Sequence, residues 1–154
     1  MVLNMNYMTD YDKTNPQSIE AYAQKLIGKT FADVVLEDTG FLDETHESST
    51  YMASHEDKKY KGSLGNLIEE KFFHYAANSD SRSDFHEAGV ELKVSPYKIN
   101  FDGSYVAKER MILTMIDYFT VVNEEFEDSH MWRKSRLILL IYYLYRKEIT
   151  NKLL

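Results

Sequence analysis

Three charged residues around one short apolar stretch are the residues of this chain best suited to chemistry. In "DFHEAGVELKVSPYK", residues 84–98, Asp84 lies seven positions before Glu91, and Lys93 follows two positions later. Carboxylates can hold Mg2+, and the ion polarises a phosphate and lowers the pKa of a bound water. A neighbouring ammonium group can orient that water or stabilise the transition state. The pattern D-x6-E-x-K therefore indicates phosphodiester hydrolysis, with surface ion pairs on an edge strand as the plainer alternative.

The local sequence predicts a strand that holds two of these charges on one side. Val90, Leu92 and Val94 alternate with polar residues, which places them on one face of the strand. Glu91 and Lys93 fall on the opposite face. Charged groups on a buried segment cost free energy unless they have a function, so this polar face is the candidate site.

Three helices are predicted before this strand. Asn15 as N-cap, Pro16 at the first helical position and Gly28 as the stop define the first helix. A second, short helix is expected in "TFADVVLE", residues 30–37. A third is expected in "SLGNLIEEKFFHY", residues 63–75, from the helical spacing of its apolar residues.

Two apolar segments after the strand complete the predicted domain. Both "ERMILTMIDYFTVV" at 109–122 and "RLILLIYYLYRK" at 136–147 are rich in β-branched and aromatic residues, which is typical of buried strands. The first segment also scores as a helix. The order of elements predicts an α/β or α+β domain with a mixed central sheet.

Composition bounds the class of protein. A chain of 154 residues with 44% apolar residues is long enough for one domain, 1–154, with its own core. The absence of cysteine excludes disulfides and thiolate metal sites and is consistent with a reducing compartment. The longest apolar run, 137–145, is too short to span a bilayer, and the N-terminus lacks the pattern of a signal peptide. A cytoplasmic protein without membrane association is therefore expected.

The net charge of -7 comes from a single segment. Residues 37–57 hold seven acids and neither lysine nor arginine, which predicts an acidic loop over about 37–60. The rest of the chain is neutral overall and contains clusters of basic residues that could meet phosphate or could be solvated surface charge. These clusters are Lys58, Lys59 and Lys61, and Arg133, Lys134 and Arg136.

The residues around the charged pattern resemble a known family. The segments "KGSLGNLIEEKFF" and "SDSRSDFHEAGVELKVSPYK" are similar to the active-site region of the MutH family. That family comprises a mismatch-repair nicking endonuclease and related type II restriction endonucleases that cut at GATC. The similarity continues through "YVAKERMILTMIDY" and "NEEFEDSHMWRKSRLILLIYYLY" and covers about residues 60–147.

The resemblance implies a restriction-endonuclease-like fold, a mixed central sheet flanked by helices, with a defined set of catalytic residues. Asp84 and Glu91 would be metal ligands and Lys93 the catalytic lysine. Glu70, fourteen residues before Asp84, would be an additional acid and metal ligand; its spacing favours it over Glu69. Family domains continue beyond the third strand, so the chain is expected to be either a fragment of a longer enzyme or a shortened relative.

The resemblance also implies a substrate and a reaction. Lys134 falls at a family lysine close to the active site, and Lys61 lies in a "KG" step that approaches DNA. The expected function is that of a Mg2+-dependent type II restriction endonuclease that hydrolyses double-stranded DNA at GATC. Two alternatives stay open: a mismatch-repair nicking endonuclease, and a DNA-binding or assembly module that keeps the pattern without cutting.

Overall fold

Three helical segments precede the first strand in the order in which the sequence predicts them, and further short helices lie between the second and third strands. The computed structural model describes residues 10–39, 63–75 and 82–145. The helical elements are α1 (Pro16–Ala23), which continues as a 3-10 turn (Gln24–Leu26), α2 (Phe31–Thr39), α3 (Ser63–Leu67), which continues as a π-helical segment (Ile68–Phe72), α4 (Tyr118–Val121) and α5 (His130–Ser135). The strands are β1 (Glu91–Ile99), β2 (Tyr105–Ala107) and β3 (Ile138–Leu144).

The first helix begins and stops at the residues that the sequence indicates. The Asn15 side chain accepts hydrogen bonds from the backbone N–H groups of Gln17 and Ser18, which the helix itself leaves unpaired. Gly28 has a φ of 83°, a left-handed conformation that glycine adopts without steric cost and that ends the helical stretch. The prediction of this helix is confirmed.

The sheet is mixed, and β1 is its central strand. β2 pairs with β1 antiparallel, while β3 pairs with it parallel, in a register that runs from Glu91 opposite Ile138 to Tyr97 opposite Leu144. The predicted α+β class with a mixed sheet flanked by helices is therefore confirmed. The parallel pairing matters for the site because the N-terminal ends of β1 and β3 lie at the same edge of the sheet.

One face of the sheet packs against the helices. Leu92 on β1 and Ile141 and Tyr143 on β3 are buried in one core cluster together with Phe31 of α2 and Phe73 after the π-helical segment. The ring of Tyr143 meets that of Phe31 edge to face, with 5.2 Å between centroids. The opposite face of β1 is thus left free to carry polar side chains.

The segment from 109 to 122 does not form the predicted buried strand. The antiparallel ladder with β1 ends after Lys108, whose backbone N–H donates to the carbonyl of Pro96. Proline has no N–H to return toward β2, so the pairing cannot continue. The following residues are exposed, Met115 and Phe119 at 87% and 91%, and only Tyr118–Val121 is helical. The strand prediction for this segment is wrong.

The N-terminal segment holds the end of the π-helical segment in place. The buried hydroxyl of Tyr11 donates to the carbonyl of Phe73 at 2.8 Å, and Lys13 donates to the carbonyl of His74 at 3.5 Å. Tyr22 on α1 donates to the carbonyl of Phe72 at 3.4 Å. These bonds satisfy carbonyls that a helix leaves unpaired at its C-terminus, and they fix the helical segment that approaches the polar face of β1.

Two sequence predictions concern residues that the structure does not describe or describes only in part. Most of the acidic loop at about 37–60 lies outside the described residues, as does Lys61.

Among the helices of the described ranges, none has the length and apolar character that a membrane span requires.

Candidate active site

The polar face of β1 holds a buried carboxylate. Glu91 is only 2% exposed, and its Oε1 accepts a hydrogen bond of 2.6 Å from Nζ of Lys93, two residues along the strand. Leu92 between them points into the core, so the predicted alternation of the strand is confirmed. Because β1 is central and Glu91 is buried, a surface ion pair on an edge strand does not describe this pair.

Asp84 is tied to the same strand by a short closed loop. An isolated antiparallel bridge joins Phe85 to Val90 and brings the residues before and after the loop together. The Oδ2 atom of Asp84 accepts a hydrogen bond of 2.8 Å from the backbone N–H of Leu92. The spacing of seven residues between Asp84 and Glu91 is therefore the length of a loop that returns the first acid to the strand carrying the second.

A third carboxylate, Glu69, approaches from the π-helical segment. Burial, together with the negative charges of Asp84, Glu70 and Glu91, raises the pKa of Glu69 to about 7. Glu69 is 6% exposed, whereas Glu70 is exposed on the same segment. π-Helical turns occur frequently at functional sites, because the extra residue per turn alters which side chains face inward.

The acid that sequence spacing favours on this helix is therefore not the one that the structure buries beside Asp84. The assignment of Glu70 stays a prediction, and Glu69 is the acid that sequence reasoning missed. A local signal for Glu69 exists: Phe72 and Phe73, three and four residues later, are both buried, so Glu69 shares their helix face.

Lys134 brings a second positive charge to Glu91. Its Nζ lies 3.8 Å from Oε1 of Glu91, the same oxygen that Lys93 contacts. Lys134 belongs to α5, whose N-cap is Ser129; the serine hydroxyl accepts a hydrogen bond from the backbone N–H of Trp132. The structure thus brings together four of the six residues that the sequence nominates; Glu70 is exposed and Lys61 is outside the described residues.

The acids of the site have unsatisfied oxygens that a divalent ion would suit. Oε2 of Glu91 and Oε1 of Glu69 are buried and have no hydrogen-bond partner among the described residues, an arrangement that costs free energy unless a cation or water pairs with them. Within the described ranges, no three acidic or histidine side chains converge closely enough to enclose a metal ion. Mg2+ commonly uses one or two carboxylates and retains several waters, so these residues fit an open site of that kind.

The raised pKa of Glu69 predicts how the metal-free protein responds to pH. Between pH 4.5, the ordinary pKa of a glutamate, and pH about 7, the Glu69 carboxyl of the folded protein holds a proton that it has released in the unfolded chain. The contribution of Glu69 to the free energy of unfolding should therefore be largest below pH 4.5 and fall by about 1–3 kcal/mol as the pH rises through about 7. Denaturant titrations across this range measure the slope.

Glu69→Gln should flatten this dependence, because glutamine does not titrate. Glu70→Gln is the matched control, since it removes the exposed neighbouring carboxylate. An unchanged slope in Glu69→Gln, or the same flattening in both variants, would contradict the placement of Glu69 at the site.

Comparisons with known proteins match the sequence of this chain to a family. The family model described as the DNA mismatch repair enzyme MutH matches residues 73–153, a range that contains Asp84, Glu91, Lys93 and Lys134. The chain is also similar to the type II restriction enzyme Sau3AI of Staphylococcus aureus, with 43% identity over 90 residues. That alignment covers 58% of this chain and 18% of the relative, so the chain spans a small part of that enzyme's length.

Proposed function

Because the chain belongs to the MutH family, we propose that it is a catalytic domain of a Mg2+-dependent DNA endonuclease of the type II restriction class. Its substrate is double-stranded DNA, in which it hydrolyses phosphodiester bonds at GATC sites. The observation that carries the proposal is the buried Glu91, whose carboxylate faces two lysines and lies within electrostatic reach of Glu69, near Asp84. The GATC preference is supported by the resemblance to restriction enzymes with that target.

The acidic residues hold the ion. Asp84 and Glu91 would supply carboxylate oxygens from the loop and from the strand, and Glu69, whose pKa their charges raise, would approach the ion from the helix. A bound divalent ion contributes positive charge at the phosphate that is cut. Such an ion would also compensate the buried charges, because Oε2 of Glu91 and Oε1 of Glu69 have no hydrogen-bond partner among the described residues. Glu70 could take the place of Glu69 only if it turned inward from its exposed position.

The lysines act on the substrate. Lys93 is held at the polar face of β1 by its hydrogen bond to Glu91, and its ammonium group orients the attacking water or stabilises charge on the phosphate oxygens. Lys134 adds a second positive charge beside the same carboxylate. Lys61, which precedes α3 in the chain, is proposed to approach the DNA backbone. Action on DNA accords with the expected cytoplasmic location, which stays a prediction.

Cleavage of supercoiled plasmid tests the proposed function. In Mg2+, the protein is expected to cut plasmid that contains GATC sites, to leave plasmid without these sites intact, and to stop cutting when Ca2+ or a chelator replaces Mg2+. Glu91→Gln is the inactive control. Linear products indicate a restriction enzyme, and nicked circles alone indicate a nicking endonuclease. DNA binding without any cleavage would leave only a binding module, and substrate methylated at GATC shows whether the methyl group blocks the reaction.

A further inference from the structure

The side chain of Arg136 lies against the loop that joins Asp84 to Glu91. Its guanidinium group lies against Gly89, so close that a Cβ added at Gly89 would be 3.1 Å from Nη2 and 3.8 Å from Cζ of the arginine. Gly89 also has a φ of 68°, which disfavours any other residue. Glycine at this position therefore lets the guanidinium group lie against the backbone of the loop between Asp84 and Glu91, whereas any other residue would be strained and would push the group away.

The contact between Arg136 and Gly89 is at the edge of the sheet where the acidic residues of the site lie. The backbone N–H of Glu91 donates to the carbonyl of Leu137, so the residue after Arg136 is joined directly to the start of β1. The backbone N–H of Arg136 in turn donates to the carbonyl of Trp132 and closes the end of α5. Arg136 is thus fixed at both ends of its short connection, two residues after Lys134.

The charge of Arg136 has no ion-pair partner among the residues that the structure describes. The side chain is exposed, and in the described part of the chain no carboxylate lies within ion-pair distance of its guanidinium group. By contrast, Lys93 and Lys134 at the same edge both contact Glu91. A planar, solvent-facing group of hydrogen-bond donors without an internal acceptor is suited to bind a phosphate through two parallel hydrogen bonds.

We propose that Arg136, which lies against Gly89, binds a phosphate of the DNA backbone next to the phosphate that is cut. This contact positions the DNA strand over the acidic residues of the site. The proposal deepens the proposed function and rests on it. Arg136 is a substrate-binding residue in this account, whereas Arg133 on the outer turn of α5 is ordinary surface charge. The acidic cluster repels a bare phosphate, and a fixed arginine at its rim offsets that repulsion.

Binding of a fluorescent GATC duplex in Ca2+, followed by anisotropy at several salt concentrations, tests the proposal. Arg136→Ala should weaken binding about tenfold, the size expected for one charge-assisted contact, and should reduce the slope of log affinity against log salt by about 1. Arg136→Lys should recover little of the affinity, because an ammonium group can neither rest flat on Gly89 nor offer two parallel donors.

Arg133→Ala is the matched control, because it removes an exposed arginine from α5 three residues before Arg136 and should change affinity by less than about threefold. Equal losses in Arg133→Ala and Arg136→Ala, or full recovery in Arg136→Lys, would overturn the proposal, since either result indicates unspecific attraction. If the unmodified protein binds duplex and Arg136→Ala binds as tightly, only this inference fails. If the unmodified protein binds no duplex, the proposed function fails with it.

Discussion

Replacement of Lys93 by alanine is expected to lower the rate of DNA cleavage by roughly 10²-fold or more while the protein still binds DNA. The expectation follows from the place of the ammonium group, 2.6 Å from a carboxylate proposed to hold the ion. A positive charge fixed there acts on the phosphate in the transition state. Cleavage should be measured with excess enzyme over one turnover, so that product release does not limit the rate.

If Lys93 only balanced the charge of Glu91, Lys93→Ala would lose stability but keep its rate of cleavage. Glu91 is buried, so removal of its nearest cation leaves only Lys134, at 3.8 Å, to balance its charge, and the folded protein should lose less than the about 3–5 kcal/mol that breaking an isolated buried pair costs. Mg2+ should restore that stability in Lys93→Ala without restoring cleavage. Lys93→Arg should not rescue the rate, because the guanidinium group is larger and directed differently.

Lys98→Ala is the matched control for Lys93, since this lysine is exposed near the end of the same strand. Its cleavage rate should stay within about twofold of the unmodified protein, as expected for solvated surface charge. Cleavage at the normal rate in folded Lys93→Ala would remove Lys93 from the mechanism.

Loss of either Asp84 or Glu91 is expected to abolish measurable binding of Mg2+ or Mn2+. Each residue supplies carboxylate oxygen to an ion that retains several waters, so the loss of one leaves too few charged ligands. Asp84→Asn is preferred to alanine because the amide oxygen can keep the hydrogen bond from the backbone N–H of Leu92. Calorimetry on the protein without DNA separates this effect from substrate binding.

Asp102→Asn is the control for unspecific attraction of cations. Asp102 is an exposed carboxylate in the turn between β1 and β2, where it accepts hydrogen bonds from Ser104. Binding of the ion should be the same in this variant as in the unmodified protein. Unchanged affinity in both Asp84→Asn and Glu91→Gln would refute the assignment of these two residues as ligands.

The strand and the loop of the site could be predicted from the sequence because the signals are local. Alternation of apolar and polar residues puts Glu91 and Lys93 on one face of β1 whatever lies around the strand. The short distance in sequence from Asp84 to that strand leaves only a tight loop between them. Lys134 was found by resemblance alone, since spacing does not reveal that α5 returns beside β1.

The choice between Glu69 and Glu70 could not be made in the same way. A regular helix would place the two neighbours about 100° apart, and the π-helical turn shifts which of them faces β1. The fourteen residues from Glu70 to Asp84 measure a distance along the chain. They do not show that the helix contains a π-helical turn, whose extra residue changes which side chain faces β1. The burial of Phe72 and Phe73 is the stronger guide to which glutamate faces inward, because it follows from packing in the core and not from the number of residues before Asp84.

The apolar segment at 109–122 shows a second limit of sequence reasoning. Its composition correctly indicates residues that gain free energy from burial, but not whether β1 can pair with them. A single proline, Pro96, removes the N–H that the next step of the ladder requires. Pairing therefore stops at Lys108, a result that depends on the partner strand and not on the segment itself.

Asp84 and Glu91, with Glu69 beside them, are proposed to form a divalent metal site at the edge of the sheet. Crystals grown with Mn2+ allow the ion to be located by its anomalous scattering. The account predicts one peak within about 2.5 Å of carboxylate oxygens of both Asp84 and Glu91, with water completing the coordination and Glu69 directly or through water in contact. A crystal soaked to saturation with no peak between these carboxylates, and with Lys93 still bound to Glu91, would contradict it.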